Sequence, residues 1–149
     1  MTETTNSVSY NFAQLAADHN LTVNHVRARY IHLLRSRWKA DFRMFCKHRV
    51  KIRNKAGEKV PLELNSAQEI MFSRINAQLA KSFWVRMLIL KGRRQGASTF
   101  IDAFGYWLSD LWEGYNVYVQ AHVADSSEKI YGIVKYIYDN DKYHQATLS

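Results

Sequence analysis

One cysteine, one proline and six glycines in 149 residues are the first facts this sequence offers. The lone Cys46 excludes an internal disulfide, and a single thiol among scattered histidines leaves no zinc-ligand spacing. His19, His25, His32, His48, His122 and His144 include no i,i+4 pair around an intervening acid, which excludes the metalloprotease helix pattern. No apolar run approaches the roughly 20 residues that cross a bilayer, so no membrane partner is expected. The polar opening, Met1 to Ser7, lacks a basic start and an apolar block, and neither a signal peptide nor a transit peptide is expected. Residues 1–10 are read as a disordered tail.

What is present is hydrophobic content, 47%, and positive charge, net +8. The length and the apolar share suffice for one domain with a real core and a small appendage. Charge is unevenly placed: residues 1–94 hold 18 Lys+Arg against 6 Asp+Glu, residues 95–149 hold 3 against 7. The excess is densest from Arg27 to Lys59, which suits a polyanion such as DNA and equally suits a solvated basic face.

Periodicity divides the chain further. Residues 11–45 read as a basic helical segment. Within it, alanines before a turn residue, Leu21, a Thr22 cap and Val26 resemble a helix-turn-helix, with Asn20 in the place of the turn glycine. Two short helices packed on the main domain explain the same pattern. On the first reading Asn24, Arg27, Arg29, Arg35 and Arg37 are the candidate DNA contacts. Leu33, Leu34, Trp38, Phe42 and Phe45 step by helical spacings, which predicts one long helix through Phe45. Residues 50–53 and 60–64 alternate apolar with polar around Asn54-Lys55-Ala56-Gly57-Glu58, the pattern of a β-hairpin whose second strand Pro61 places at an edge. Asn65-Ser66-Ala67-Gln68 has the form of a capping box. The alternative for Gln68 is contact with an adenine edge, which the donor and acceptor of an amide can match.

Lys91-Gly92-Arg93-Arg94-Gln95-Gly96-Ala97-Ser98-Thr99 follows a strand-like run, 84–90, and precedes an apolar helical pattern through Leu111. A phosphate-binding loop occupies this position between a strand and a helix. The usual form is G-x-x-x-x-G-K-[ST]; here Gly96 and Ser98 are kept, Lys91 stands at the first glycine and Ala97 at the lysine. Backbone N–H groups around Gly96 and the following helix end would hold phosphate oxygens. Lys91 would reach back over them, Arg93 and Arg94 would add forked donors, and Ser98 would offer a hydroxyl to Mg²⁺. The plain alternative is an arginine-rich turn. Residues 116–121 read as a second strand, and Asp125-Ser126-Ser127-Glu128 as a further capping box opening a helix. Strand, helix, strand, helix predicts an α/β fold with a parallel sheet.

The segments 60–68, 86–99 and 119–122 together resemble the amino-terminal part of the ATPase domain of phage terminase large subunits, the motors that package viral DNA. The resemblance covers about residues 42 to 140. It implies a partial P-loop NTPase (RecA-like) parallel sheet with flanking helices over 46–149, preceded by the helical segment and the hairpin. It also implies ATP and Mg²⁺ as cofactors, bound by Gln68 on the base and by residues 91–99 on the phosphates, with the motif lysine at its start, as Lys91 stands here. The implied partners are double-stranded DNA, a terminase small subunit and the portal of a procapsid, in the cytoplasm of a host cell, with homo-oligomers only in a complete motor. After Tyr138 no strand ends in paired acids, and the family's metal-binding aspartate, water-activating glutamate and nuclease have no counterpart. The chain therefore reads as a prophage or phage fragment with no catalytic residue assigned and no turnover expected. Two other functions remain: a basic helix-turn-helix DNA-binding protein without nucleotide chemistry, and an inactive remnant with an exposed apolar face.

Overall fold

A computed structural model describes residues 11–19, 21–82, 84–90, 92, 94–121 and 124–147. The chain forms two compact units, Met1–Arg37 and Trp38–Ser149.

The first unit contains α1 (Phe12–Asp18) and most of α2 (Val23–Ala40). Asn11 caps α1, its side chain accepting from the Gln14 N–H, and the Thr22 hydroxyl accepts from the His25 N–H at the start of α2. The turn between them is tight: the Leu21 N–H donates to the Ala16 carbonyl at 2.9 Å, and Ala16 is buried.

The predicted single helix through Phe45 is broken at Asp41. Its extended backbone ends α2, and its carboxylate accepts from the N–H groups of Arg43 and Met44 to start α3 (Phe42–Arg49). Capping by one short acidic side chain thus redirects an apolar stripe that periodicity carries straight on. The hairpin follows as predicted: β1 (Lys51–Arg53) pairs antiparallel with β2 (Lys59–Pro61), with Ile52 opposite Val60. Asn54 organises the turn, its side-chain oxygen accepting from Ala56 and Glu58 N–H, each at 2.9 Å. Next come α4 (Ser66–Leu79), α5 (Ala97–Leu111), α6 (Ala124–Asp139) and α7 (Lys142–Thr147). The second expected capping box involves Asp125, whose side chain lies outside the described residues.

The expected parallel sheet is not there. The described residues are mostly helical, and their one sheet is the two-stranded antiparallel β1–β2. Residues 84–90 keep a period-two burial pattern, with Val85, Met87 and Ile89 half-buried and Trp84, Leu88 and Leu90 exposed, yet no neighbouring strand takes their backbone groups. The Arg86 N–H donates instead to the side chain of Gln78. Residues 116–121 likewise carry no ladder. A sequence pattern specifies which face of a segment is apolar; a strand also needs a partner edge, and among the described residues these two runs have none. The second run touches α5 closely at one point, where a Cβ on Gly105 would come within 2.9 Å of the Val117 side chain.

The core of the second unit centres on Phe42, which is fully buried. Its ring lies 5.3 Å from Phe72, 5.7 Å from Phe100, 5.3 Å from Phe104 and 5.2 Å from Trp107, which joins α3 to α4 and α5. Beside it runs a buried polar network. The Arg49 guanidinium donates to Asp110 at 2.5 Å and to Asp141 at 2.5 and 2.9 Å, and Tyr106 donates its hydroxyl proton to the same Asp141 oxygen at 2.8 Å. The other Asp141 oxygen caps α7 through Tyr143 and His144 N–H. Burial, then Asp141, hold the Tyr106 hydroxyl well above its ordinary pKa, so it stays a donor. Cys46 is completely buried, and burial raises its thiol pKa far above neutrality, so the thiol is inert.

Removing the cation should cost more than removing it together with one of its carboxylates. Arg49→Met leaves two buried carboxylates without their counterion and should lose about 3 to 5 kcal/mol of stability in urea unfolding, while adding Asp141→Asn should restore part of it. The same cost of Asp141→Asn in the wild-type and the Arg49→Met backgrounds would show the two residues to be uncoupled.

Asp102, in mid-helix on α5, is 3% exposed and one carboxyl oxygen has no partner among the described residues. Burial lifts its pKa to about 6. A carboxyl raised on folding binds more protons in the folded state, so stability falls as pH rises from about 4 to about 6 and stays lowered above. Asp102→Asn should therefore raise the melting temperature at neutral pH, by the equivalent of about 2 kcal/mol, and leave it nearly unchanged near pH 4. Thermal melts at both pH values check this, and an equal shift at both would refute it.

Candidate phosphate-binding loop

Five of the described helices begin on a side chain that closes their first turn: Asn11 on α1, Thr22 on α2, Asp41 on α3, Asn65 on α4 and Asp141 on α7. α5 does not. It begins on Gly96, in left-handed geometry at φ 75°, with no side-chain cap and no acidic residue in its first turn. The first N–H groups of a helix have no intrahelical acceptor, so a start of this kind offers several donors and the positive end of fifteen aligned peptide dipoles. Arg94, two residues earlier, is also left-handed at φ 63°, a conformation that costs a non-glycine residue on the order of 1 kcal/mol. Left-handed residues of this sort bend the backbone into concavities that hold anions.

The loop is pinned from α4. Gln68 is buried; its amide oxygen accepts from the Asn65 N–H at 2.9 Å while its amide nitrogen donates to the Gly96 carbonyl at 2.9 Å. Asn65 donates from its own amide to the Gln95 carbonyl at 3.3 Å. The capping box is therefore complete, and it holds the loop as well as the helix. A Cβ on residue 96 would lie 2.8 Å from the Gln68 amide nitrogen, so this position needs glycine twice over, for its backbone angle and for the approach of Gln68. Both atoms of the Gln68 amide are engaged within the chain, and contact with an adenine would require them to exchange partners.

Of the other candidate residues, Gly92, Arg94, Gln95 and Ser98 are exposed along the loop and at the helix start, and Ala97 is buried. Thr99 is half-buried and turns toward a cleft with Lys51, Arg53 and Lys129. Lys91 and Arg93 lie outside the described residues. An apolar cavity of about 190 Å³, lined by Ala67, Ile70, Met71, Ile89, Leu90, Gln95 and Ala97, adjoins the loop. In the first unit, Asn24, Arg27, Arg29 and Arg37 are exposed on α2 and Arg35 is half-buried. Arg29 borders a groove lined by Leu15, His19, Leu21, Val26, Tyr30 and Leu33.

ATP with Mg²⁺ fits these residues in the limited sense that an uncapped helix start, a glycine cradle and an exposed hydroxyl at Ser98 suit phosphate oxygens and the metal they carry. Among the described residues no group of three or more His, Cys, Asp or Glu side chains could hold a metal ion without such a ligand. The Asn65 link to the loop escaped the sequence reading, because a contact across thirty residues leaves no local signature.

No protein-family model matches this chain, and neither a curated protein nor a solved structure matches it. Among the described residues no helix is long and apolar enough to cross a membrane.

Gly96→Ala should destabilise the protein by about 1 to 3 kcal/mol, from the left-handed backbone and the displaced Gln68. Combining it with Gln68→Ala should relieve the clash and keep the backbone cost, so that the two losses are less than additive in urea unfolding. Full additivity would mean that residues 68 and 96 do not meet.

Proposed function

We propose that this chain binds a nucleoside triphosphate, ATP with Mg²⁺, at residues 91–99, as the front part of a DNA-packaging motor related to phage terminase large subunits. The single observation that carries this reading is the α5 start: a left-handed glycine with no capping side chain, fastened by Gln68 from a helix that begins thirty-one residues earlier in sequence. A structural turn has no need to leave a fifteen-residue helix without a side-chain cap when the other starts described above are closed by Asn, Asp or Thr. Support is chemical and local. The parallel sheet that the resemblance implied forms no part of the proposal.

In this reading the backbone N–H groups of Ala97 and Ser98 would bind phosphate oxygens, the Ser98 hydroxyl would be offered to the Mg²⁺ they carry, and Lys91 would add a cation. Arg94 is exposed beside them and adds a forked donor. Bound ATP would supply the phosphoanhydride whose cleavage drives a motor. This chain's residues bind and orient it, and none is assigned to activating water. Double-stranded DNA is the proposed cargo.

A second reading, DNA binding without nucleotide, is favoured by the exposed Asn24, Arg27, Arg29 and Arg37 on α2. Titration with a fluorescent ATP analogue separates the two. Saturable binding that Mg²⁺ strengthens, that Lys91→Ala reduces at least about tenfold and that Ser98→Ala makes insensitive to Mg²⁺ supports the first. No saturable binding by the wild-type chain, with DNA affinity lost on changing Asn24 and Arg27, would leave only the second.

A further inference from the structure

α5, the extended run 115–119 and α6 border a cavity of about 540 Å³ in the second unit, inside the range of small-molecule sites, about 300 to 1,000 Å³. Its walls are chiefly apolar. Gly105 and Tyr106 contribute from α5, Val117 and Val119 from the extended run, and Ile130 and Val134 from α6. The Tyr106 hydroxyl is committed to Asp141, so this residue offers the cavity its ring, and Tyr115 and Tyr131 add two exposed rings.

One lining residue does not suit an apolar wall. Asp102 is 3% exposed and borders the cavity, and one of its carboxyl oxygens has no partner among the described residues. A buried acceptor left unpaired destabilises the folded chain, and native structures hold few of them. The buried carboxylates of Asp110 and Asp141, by contrast, are both answered by Arg49. Burial alone lifts the Asp102 pKa to about 6, so the group is still mostly ionised at neutral pH. The torsion that turns an aspartate carboxyl is soft, and either oxygen can be presented to the cavity.

We infer that this cavity binds a small organic cation, an ammonium group carried on an apolar or aromatic body, with Asp102 holding the ammonium. An ammonium brings the buried carboxylate a hydrogen-bond donor and the opposite charge together, whereas a hydroxyl or a water brings only the donor. The body of the ligand would lie against Val117, Ile130 and Val134, and the tyrosine ring faces attract a cation directly. The exposed Glu128 adds a second negative charge to the lining, which disfavours an anion. A carboxylate that lowers stability in the empty protein and binds a ligand is the usual trade between stability and function. The site does not depend on ATP occupying residues 91–99, so either reading can fail without the other.

Calorimetric titration of the full chain at neutral pH tests this, with 4-phenylbutylamine as the cation, 4-phenylbutanol as its neutral analogue and 4-phenylbutanoate as its anionic one. The amine should bind saturably and at least about tenfold tighter than the alcohol, the margin of a charge-assisted hydrogen bond over a neutral one. Asp102→Asn should remove that margin, weakening the amine roughly tenfold and the alcohol by less than about twofold. The control, Glu63→Gln, removes an exposed negative charge outside the lining and should change neither affinity by more than about twofold. Circular dichroism establishes that both variants fold. Equal weakening of amine and alcohol by Asp102→Asn, or an amine preference that survives it, would overturn the inference by removing Asp102 as the partner of the ammonium. No saturable amine binding by the wild-type chain below about 10 mM, or tighter binding of the anion, would overturn it outright.

Discussion

The second unit depends on a charge arrangement that would be costly if any member were absent: one guanidinium, Arg49, enclosed between Asp110 and Asp141 and roofed by the rings of Trp38 and Phe45 at 5.0 and 5.1 Å. It unites the last residue of α3, the far end of α5 and the cap of α7, elements separated by up to 92 positions in sequence. Each polar atom at this junction has a use. Asp141 receives Arg49 and the Tyr106 hydroxyl on one oxygen and caps α7 with the other, while Asp110 meets Arg49 on one side and His144 on the other. Such a network contributes little when compared with an apolar core of equal volume, but its directional bonds specify one arrangement of the helices.

That arrangement also determines the site. α5 is held at its far end by Arg49 through Asp110 and in its middle by the rings around Phe42, so its first turn is carried on a rigid element. Gln68 then brings the start of α4 onto Gly96, and the glycine, the uncapped helix start and Ser98 come together. Binding groups placed by packing lose little entropy when a ligand arrives.

Much of the local structure was legible. The hairpin, the Asn65 cap and the helix after the loop all follow from short-range chemistry: an Asn-rich turn, a capping box and a 3.6-residue apolar period. Where short-range rules competed, the reading failed. The stripe through Trp38 and Phe42 gave no warning that Asp41 would accept two N–H groups and break the helix. The runs at 84–90 and 116–121 have strand composition, but strand formation is decided by a neighbouring edge, and among the described residues no edge pairs with them. Arg49 was counted with a basic surface and is in fact among the most buried side chains of the protein. Charge counting registers sign and density, not whether an aspartate ninety residues away has already claimed the cation.

Determined by sequence alone were the elements whose causes lie within a few residues: caps, turn, amphipathic faces, the glycine-bearing loop and the absence of any disulfide. The tertiary structure alone decided which extended runs would lack partners, which arginine would be buried and which lysines would share a cleft. The physical reason is range. Backbone torsions and capping bonds act between neighbours and are written in local order, whereas strand pairing, burial and charge compensation depend on distances that exist only after the chain has folded.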